Sequence, residues 1–221
     1  MRLHPHPLAL SLLGASVALL SACGSLSSGG GTRPADAAAA APRTVATPQS
    51  DGRTAEGGFI DGFFFSERPG DVTFNPVVLA GGTARVTGVI EPRHGSTWGG
   101  IAITTAFARN NRTIEVSTQR ALLLTLSAAN PSVLRVRLVG PNAAVRDSGC
   151  YPVTNVRVTP EPREYALPIA AFAPETYCPA GSPDGPAAAA SLLAVEVADA
   201  LVQPGRRRAV DFSVGTIRVT P

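Results

Sequence analysis

Few side chains of this 221-residue chain could carry out a reaction. After His4 and His6 there is one histidine, His94 beside Gly95, and no Gly-x-Ser-x-Gly elbow, so the sequence spells out neither a Ser-His-Asp nor a Cys-His site. One imidazole and two distant thiols cannot supply the four ligands zinc takes. The 16 acidic residues stand mostly beside Pro, Gly or Arg in turn-like stretches, which leaves no evident carboxylate pair for glycoside hydrolysis. The chain reads as non-catalytic. What remains is a set of hydrogen-bond donors and rings. Arg135 and Arg137 alternate with Leu134, Val136 and Leu138, and Tyr151, Asn155 and Arg157 alternate with Val156 and Val158. Period-two geometry sends the aliphatic residues inward and Arg135, Arg137, Tyr151, Asn155 and Arg157 outward. If these two strands pair, one outer face gathers three guanidinium groups, an amide and a phenol, which suit sugar hydroxyls or a carboxylate. The plain alternative is an ordinary solvated sheet face. Trp98, the single tryptophan, is a candidate stacking platform; standing before Gly99 and Gly100 at the start of a strand, it is expected instead to plug the core or its rim.

The elements that must position these groups are short β-rich runs between Gly, Pro and Asn punctuation, the pattern of an all-β sandwich with at least eight strands. Candidate strands lie near 59–65, 72–79, 84–91 and 100–107, the last ending at an Asn110-Asn111 turn. Ala121 to Ala128 is apolar on both faces at its start, as befits a central strand. A ten-residue loop, 140–149, then leads to a strand over 151–159. The closing run has Val210, Phe212 and Val214 in one phase and Ile217 and Val219 in the other. A bulge at Gly215 would return both sets to the core.

At the other end, Leu20-Ser21-Ala22-Cys23 closes an apolar run that follows Arg2. The run is too short to span a bilayer, and the pattern resembles the bacterial lipoprotein signal, in which the cysteine is acylated and becomes the new N-terminus. The resemblance divides the chain into a signal at 1–22, a lipidated Cys23 with a flexible Gly/Ser/Ala/Pro linker over 23–56, and a sandwich over 57–221. It implies a lipid-anchored protein of the bacterial cell envelope, and Gly24 after the cysteine fits sorting to the outer membrane. In that oxidising compartment Cys150 and Cys178 are expected to pair as a disulfide. All basic residues are Arg, the net charge is only +3, and the one cluster, Arg206 to Arg208, reads as a hairpin tip. Nothing here is a nucleic-acid footprint.

Several runs recur in the order of a known fold: Thr97-Trp98-Gly99-Gly100-Ile101-Ala102-Ile103, Ala121 to Leu126, Leu134 to Leu138, Arg163-Glu164-Tyr165-Ala166-Leu167-Pro168 with Phe172, and Val210 to Val219. Over about residues 59–220 the chain resembles the galactose-binding-like jelly-roll sandwich. More narrowly it resembles the family-eleven carbohydrate-binding modules and the complex I intermediate-associated domain. The resemblance implies a glycan-binding module; the alternative is an assembly lipoprotein whose sandwich meets another envelope protein. Sandwiches of this kind often hold a structural Ca²⁺, for which Asp61 and Asp211 are the candidate oxygen ligands.

Overall fold

The computed structural model describes residues 41–92, 96–130, 132–200 and 206–221. Cys23, the signal and linker residues up to 40, and His94 lie outside them. Among the described residues there are β1 (Arg43–Ala46), β2 (Phe59–Ser66), β3 (Val72–Phe74), β4 (Val78–Ala80), β5 (Thr83–Ile90), β6 (Gly99–Ala106), β7 (Ala121–Ala128), β8 (Ser132–Val139), helix α1 (Ala143–Ser148), β9 (Val153–Val158), β10 (Arg163–Pro168), helix α2 (Gly185–Ala189), β11 (Ala194–Ala200) and β12 (Arg208–Thr220). One antiparallel sheet runs β10-β7-β12-β5-β3, with β1 on β12 and β4 on β5; the second runs β2-β6-β11-β8-β9. Stacked face to face, they form a jelly-roll sandwich.

The core lies between the sheets, and the alternation of the sequence says which side chains enter it. β7 sends in Leu122, Leu124 and Leu126, β8 sends Leu134, Val136 and Leu138, and β9 sends Val156 and Val158. Each Leu withdrawn from water contributes about 1.5–3 kcal/mol. β12 contributes from both its phases. Its register against β7 passes from Val214↔Leu126 to Ile217↔Leu124, so three steps on one strand face two on the other, and Val210, Phe212, Val214, Ile217 and Val219 are all buried. Gly215 lies inside this bulge, where an added Cβ would stand 3.1 Å from Thr125 Cβ.

Three boundaries differ from the sequence reading. The expected linker over 23–56 ends earlier: Arg43–Ala46 is a strand on β12, Val45 and Ala46 are core residues, and a bridge joins Pro48 to Thr54. The run over 72–79 is two short strands on β5, interrupted where Pro76 lacks the N–H a ladder needs. The 140–149 loop folds as α1, capped at its start by Asn142 Oδ1, which accepts from Ala144 N and Val145 N, and at its end by Gly149 at φ 69°.

Candidate functional site

The outer face of the five-stranded sheet is laid out by register. At one level Asp61, Thr104, Glu196, Arg137 and Val153 stand side by side across the strands; at the next stand Phe63, Ala102, Ala198, Arg135 and Asn155. At a third, Phe65 faces Gly100, and Arg157 faces Val133. Apart from Glu196, small residues thus occupy the two strands β6 and β11 at these levels, aromatic rings rise on the β2 side and guanidinium groups on the β8 side. That gradient makes a trough. A Cβ on Gly100 would lie 2.4, 2.9 and 3.0 Å from three atoms of the Phe65 ring, so the ring packs over the glycine in the space a side chain there would fill.

A cleft of about 610 Å³ stands over this trough, lined by Phe65, Trp98, Arg135, Arg137, Tyr177 and the stretch from Arg146 to Gly149. That is the size range of a small-ligand site. Trp98 is 49% exposed and Tyr177 66%. Glu67 fixes the backbone at Trp98: its Oε2 accepts from Thr97 N at 2.6 Å and Thr97 Oγ1 at 3.1 Å, and its own N–H donates to Trp98 O at 3.2 Å. The Thr97 backbone hydrogen bond holds the Glu67 carboxyl below the usual carboxylate range.

The floor of the cleft is ionic. Arg137 Nη1 donates to Glu196 Oε1 at 3.1 Å, and Arg135 Nη2 lies 2.7 Å from Glu175 Oε1. Glu196, on the central strand β11, is 7% exposed, and burial raises its carboxyl above the ordinary value although the Arg137 guanidinium pulls the other way. Away from this floor, on the opposite face of the same strand, Asp199 is likewise raised by burial against the pull of Arg208, whose Nη2 lies 2.6 Å from Asp199 Oδ1. A floor of paired charges presents donors and acceptors together, as a polyol needs.

Of the six residues singled out from sequence, the structure brings Trp98, Arg135 and Arg137 into one cleft. Of the core and rim positions expected for Trp98, the core is excluded, because its side chain is half exposed where Glu67 holds Thr97 N and Trp98 O. Asn155 and Arg157 are exposed on the same face but do not line the cleft. Tyr151 is buried: it is 8% exposed and lines a neighbouring cavity of about 370 Å³ with Val145 of α1, and burial raises its hydroxyl pKa. Cys150 and Cys178 form a disulfide. The two calcium candidates do not meet. Asp61 is on β2, with its Oδ1 accepting from Gly62 N, whereas Asp211 is on β12 in the other sheet, with both carboxylate oxygens held by Arg85 at 2.7 and 2.6 Å. These two residues do not fit a shared ion.

Sequence reasoning missed Phe65, Tyr177, Arg146 and the carboxylates Glu175 and Glu196. For Phe65 a signal existed, because the Phe63-Phe64-Phe65 run must place its first and third rings on one face. Tyr177 lies in an irregular segment where no period applies.

No protein-family model and no curated protein matches the chain. Solved structures do. The family 11 carbohydrate-binding module of the cellulosomal cellulase Lic26A-Cel5E of Clostridium thermocellum is 13% identical, with 82% of this chain and 95% of that one covered at a TM-score of 0.51. The family 30 module of Cel9D-Cel44B of the same organism is 12% identical over 82% and 98%, at 0.49. A family 11 module from that organism, solved with a β-1,3-1,4-mixed-linked tetrasaccharide, is 12% identical over 72% and 88%, at 0.48. The likeness to the first is one of fold, a carbohydrate-binding-module sandwich.

Proposed function

We propose that this chain is a non-catalytic lipoprotein of the bacterial cell envelope whose sandwich holds a glycan in the Phe65, Trp98 and Tyr177 cleft. The observation that carries the reading is the Phe65 ring packed over Gly100 in one cleft with exposed Trp98 and Tyr177 and with Arg135 and Arg137, each paired to a carboxylate. Aromatic faces cover the apolar faces of pyranose rings, while the paired charges exchange hydrogen bonds with hydroxyls. The sandwich shared with a carbohydrate-binding module supports the same reading by analogy of fold. The test is migration of the protein through native gels containing mixed-linkage β-glucan, xylan or agarose. Trp98 is the sole tryptophan, so its emission also reports occupancy. On the polysaccharide that retards the parent, Phe65→Ala and Tyr177→Ala should each weaken retention about tenfold, near 1.4 kcal/mol, with unchanged thermal unfolding. Full retention by both folded variants would remove the cleft from consideration.

The anchoring part of the proposal rests on Leu20 to Cys23. Cys23→Ser should move the protein from the membrane to the soluble fraction, because the described residues contain no helix long and apolar enough to cross a bilayer. A Cys23→Ser chain that stays with membranes after a high-salt wash would refute it.

A further inference from the structure

Two parts of the cleft lining come from segments that the sheets do not hold. One is the end of α1, where Arg146 to Gly149 immediately precede Cys150. The other carries Glu175 and Tyr177 immediately before Cys178. This second segment, residues 174–183, leaves the fold at the Val153↔Ala173 bridge and returns where Gly185 N donates to Phe172 O at 2.9 Å, so its ends meet. It is a compact Ω-type loop. Among the described residues its hydrogen bonds are internal: Cys178 N donates to Glu175 O, and Ser182 N and Oγ both donate to Pro179 O. None of its residues is buried. Among the described residues, the bonds that tie it to the rest of the molecule are the Cys150–Cys178 disulfide and the Glu175 to Arg135 ion pair, while Gly181 and Pro183 line the cavity beside Tyr151. The ion pair is partly solvated, and such pairs hold weakly. The covalent tie dominates.

We propose, resting on the glycan-binding reading above, that this cleft is redox-gated: a dithiol reductant that opens Cys150–Cys178 releases the loop, withdraws Tyr177 from the cleft and Glu175 from Arg135, and ends ligand retention while both sheets stay folded. Cys150 is 2% exposed and Cys178 is half-buried, so the attack falls on Cys178 Sγ. A thiolate of the reductant bonds to that sulfur, the Cys150 sulfur departs as thiolate and takes a proton, and the reductant's second thiol displaces Cys178. Two electrons and two protons have then passed to the protein, and the reductant has become a disulfide. The sandwich outlasts this step because the buried apolar contacts of the two sheets do not involve the loop.

The test is hydrogen exchange by mass spectrometry on the full chain with and without dithiothreitol, alongside gel retention on the same polysaccharides. Reduction is expected to speed exchange in 174–183 at least about tenfold, to leave β6 and β11 unchanged, and to lower retention at least about tenfold. The Glu175→Gln protein, with its disulfide intact, should exchange there within about threefold of the parent. A loop unmoved by reduction overturns the gate, as do sheets that open with it, retention that survives a freed loop, or a Glu175→Gln loop as free as the reduced one. A parent that binds no polysaccharide in either state refutes the glycan reading instead, and the loop's exchange alone then decides the gate.

Discussion

Arg137→Met should destabilise the domain by about 3–5 kcal/mol at neutral pH, and by clearly less near pH 5. Glu196 stands on the central strand of its sheet with Arg137 as the cation on one of its carboxylate oxygens, and removing the guanidinium strands a buried anion. The pH dependence follows from the direction of the Glu196 shift. Its carboxyl binds a proton more tightly in the folded protein than in the unfolded chain. Between the ordinary carboxylate pKa and the raised one the native state therefore holds the extra proton, and this group's contribution to stability falls as pH rises through that window. Without Arg137 the window extends upward, so the deficit relative to the parent grows toward neutrality and shrinks on acidification. Urea unfolding of parent and variant at two pH values measures it, and an equal loss at both contradicts the argument. The double variant Arg137→Met with Glu196→Leu should unfold within about 1 kcal/mol of the parent or above it, because a well-packed apolar pair often replaces a buried ion pair without loss. The Arg137 Nε, buried without a hydrogen-bond partner, disappears with it.

Gly100→Ala should cut glycan retention by about tenfold or more at a stability loss of about 1–3 kcal/mol. The new methyl group would occupy the position on which the Phe65 ring rests, and all three near atoms belong to that ring. The ring must lift, tilting the stacking surface and narrowing the cleft. The adjacent Gly99 provides the contrast: its added Cβ would be 3.4 Å from Val72 Cγ2, ordinary contact, so Gly99→Ala should leave retention intact. In a cycle with Phe65→Ala, the two substitutions at 65 and 100 should be non-additive, since both act through one ring. Additive losses would mean that Gly100 serves some other purpose.

The sandwich was legible because its signal is local and repetitive: the alternation of Leu134, Val136 and Leu138 with arginines, and the phase change at Gly215, each dictate which side chains enter the core. β1 was not, because Arg-Thr-Val-Ala inside a Pro- and Ala-rich stretch has no period of its own and becomes a strand only by pairing with the end of β12. Parity correctly placed Arg135 and Arg137 on the outer face but did not foresee the burial of Tyr151. Alternation says which side of a sheet a residue leaves from; it does not say that Val145 of the preceding helix will close over it. Trp98 went the same way in reverse, since the polar clamp from Glu67 depends on a residue thirty positions upstream.

The pairing of β1 with β12 also fixes how the domain bears load. The chain enters the fold through the seven-stranded sheet, whereas the cleft opens on the outer face of the five-stranded one. Tension between residue 41 and a polymer seated on Phe65 must cross the full thickness of the sandwich. The first hydrogen bonds to feel it are the few between Arg43–Ala46 and β12. Peeling that short strand would draw Val45 and Ala46 into water, with β6, β8 and β11, which carry the floor of the cleft, still in register.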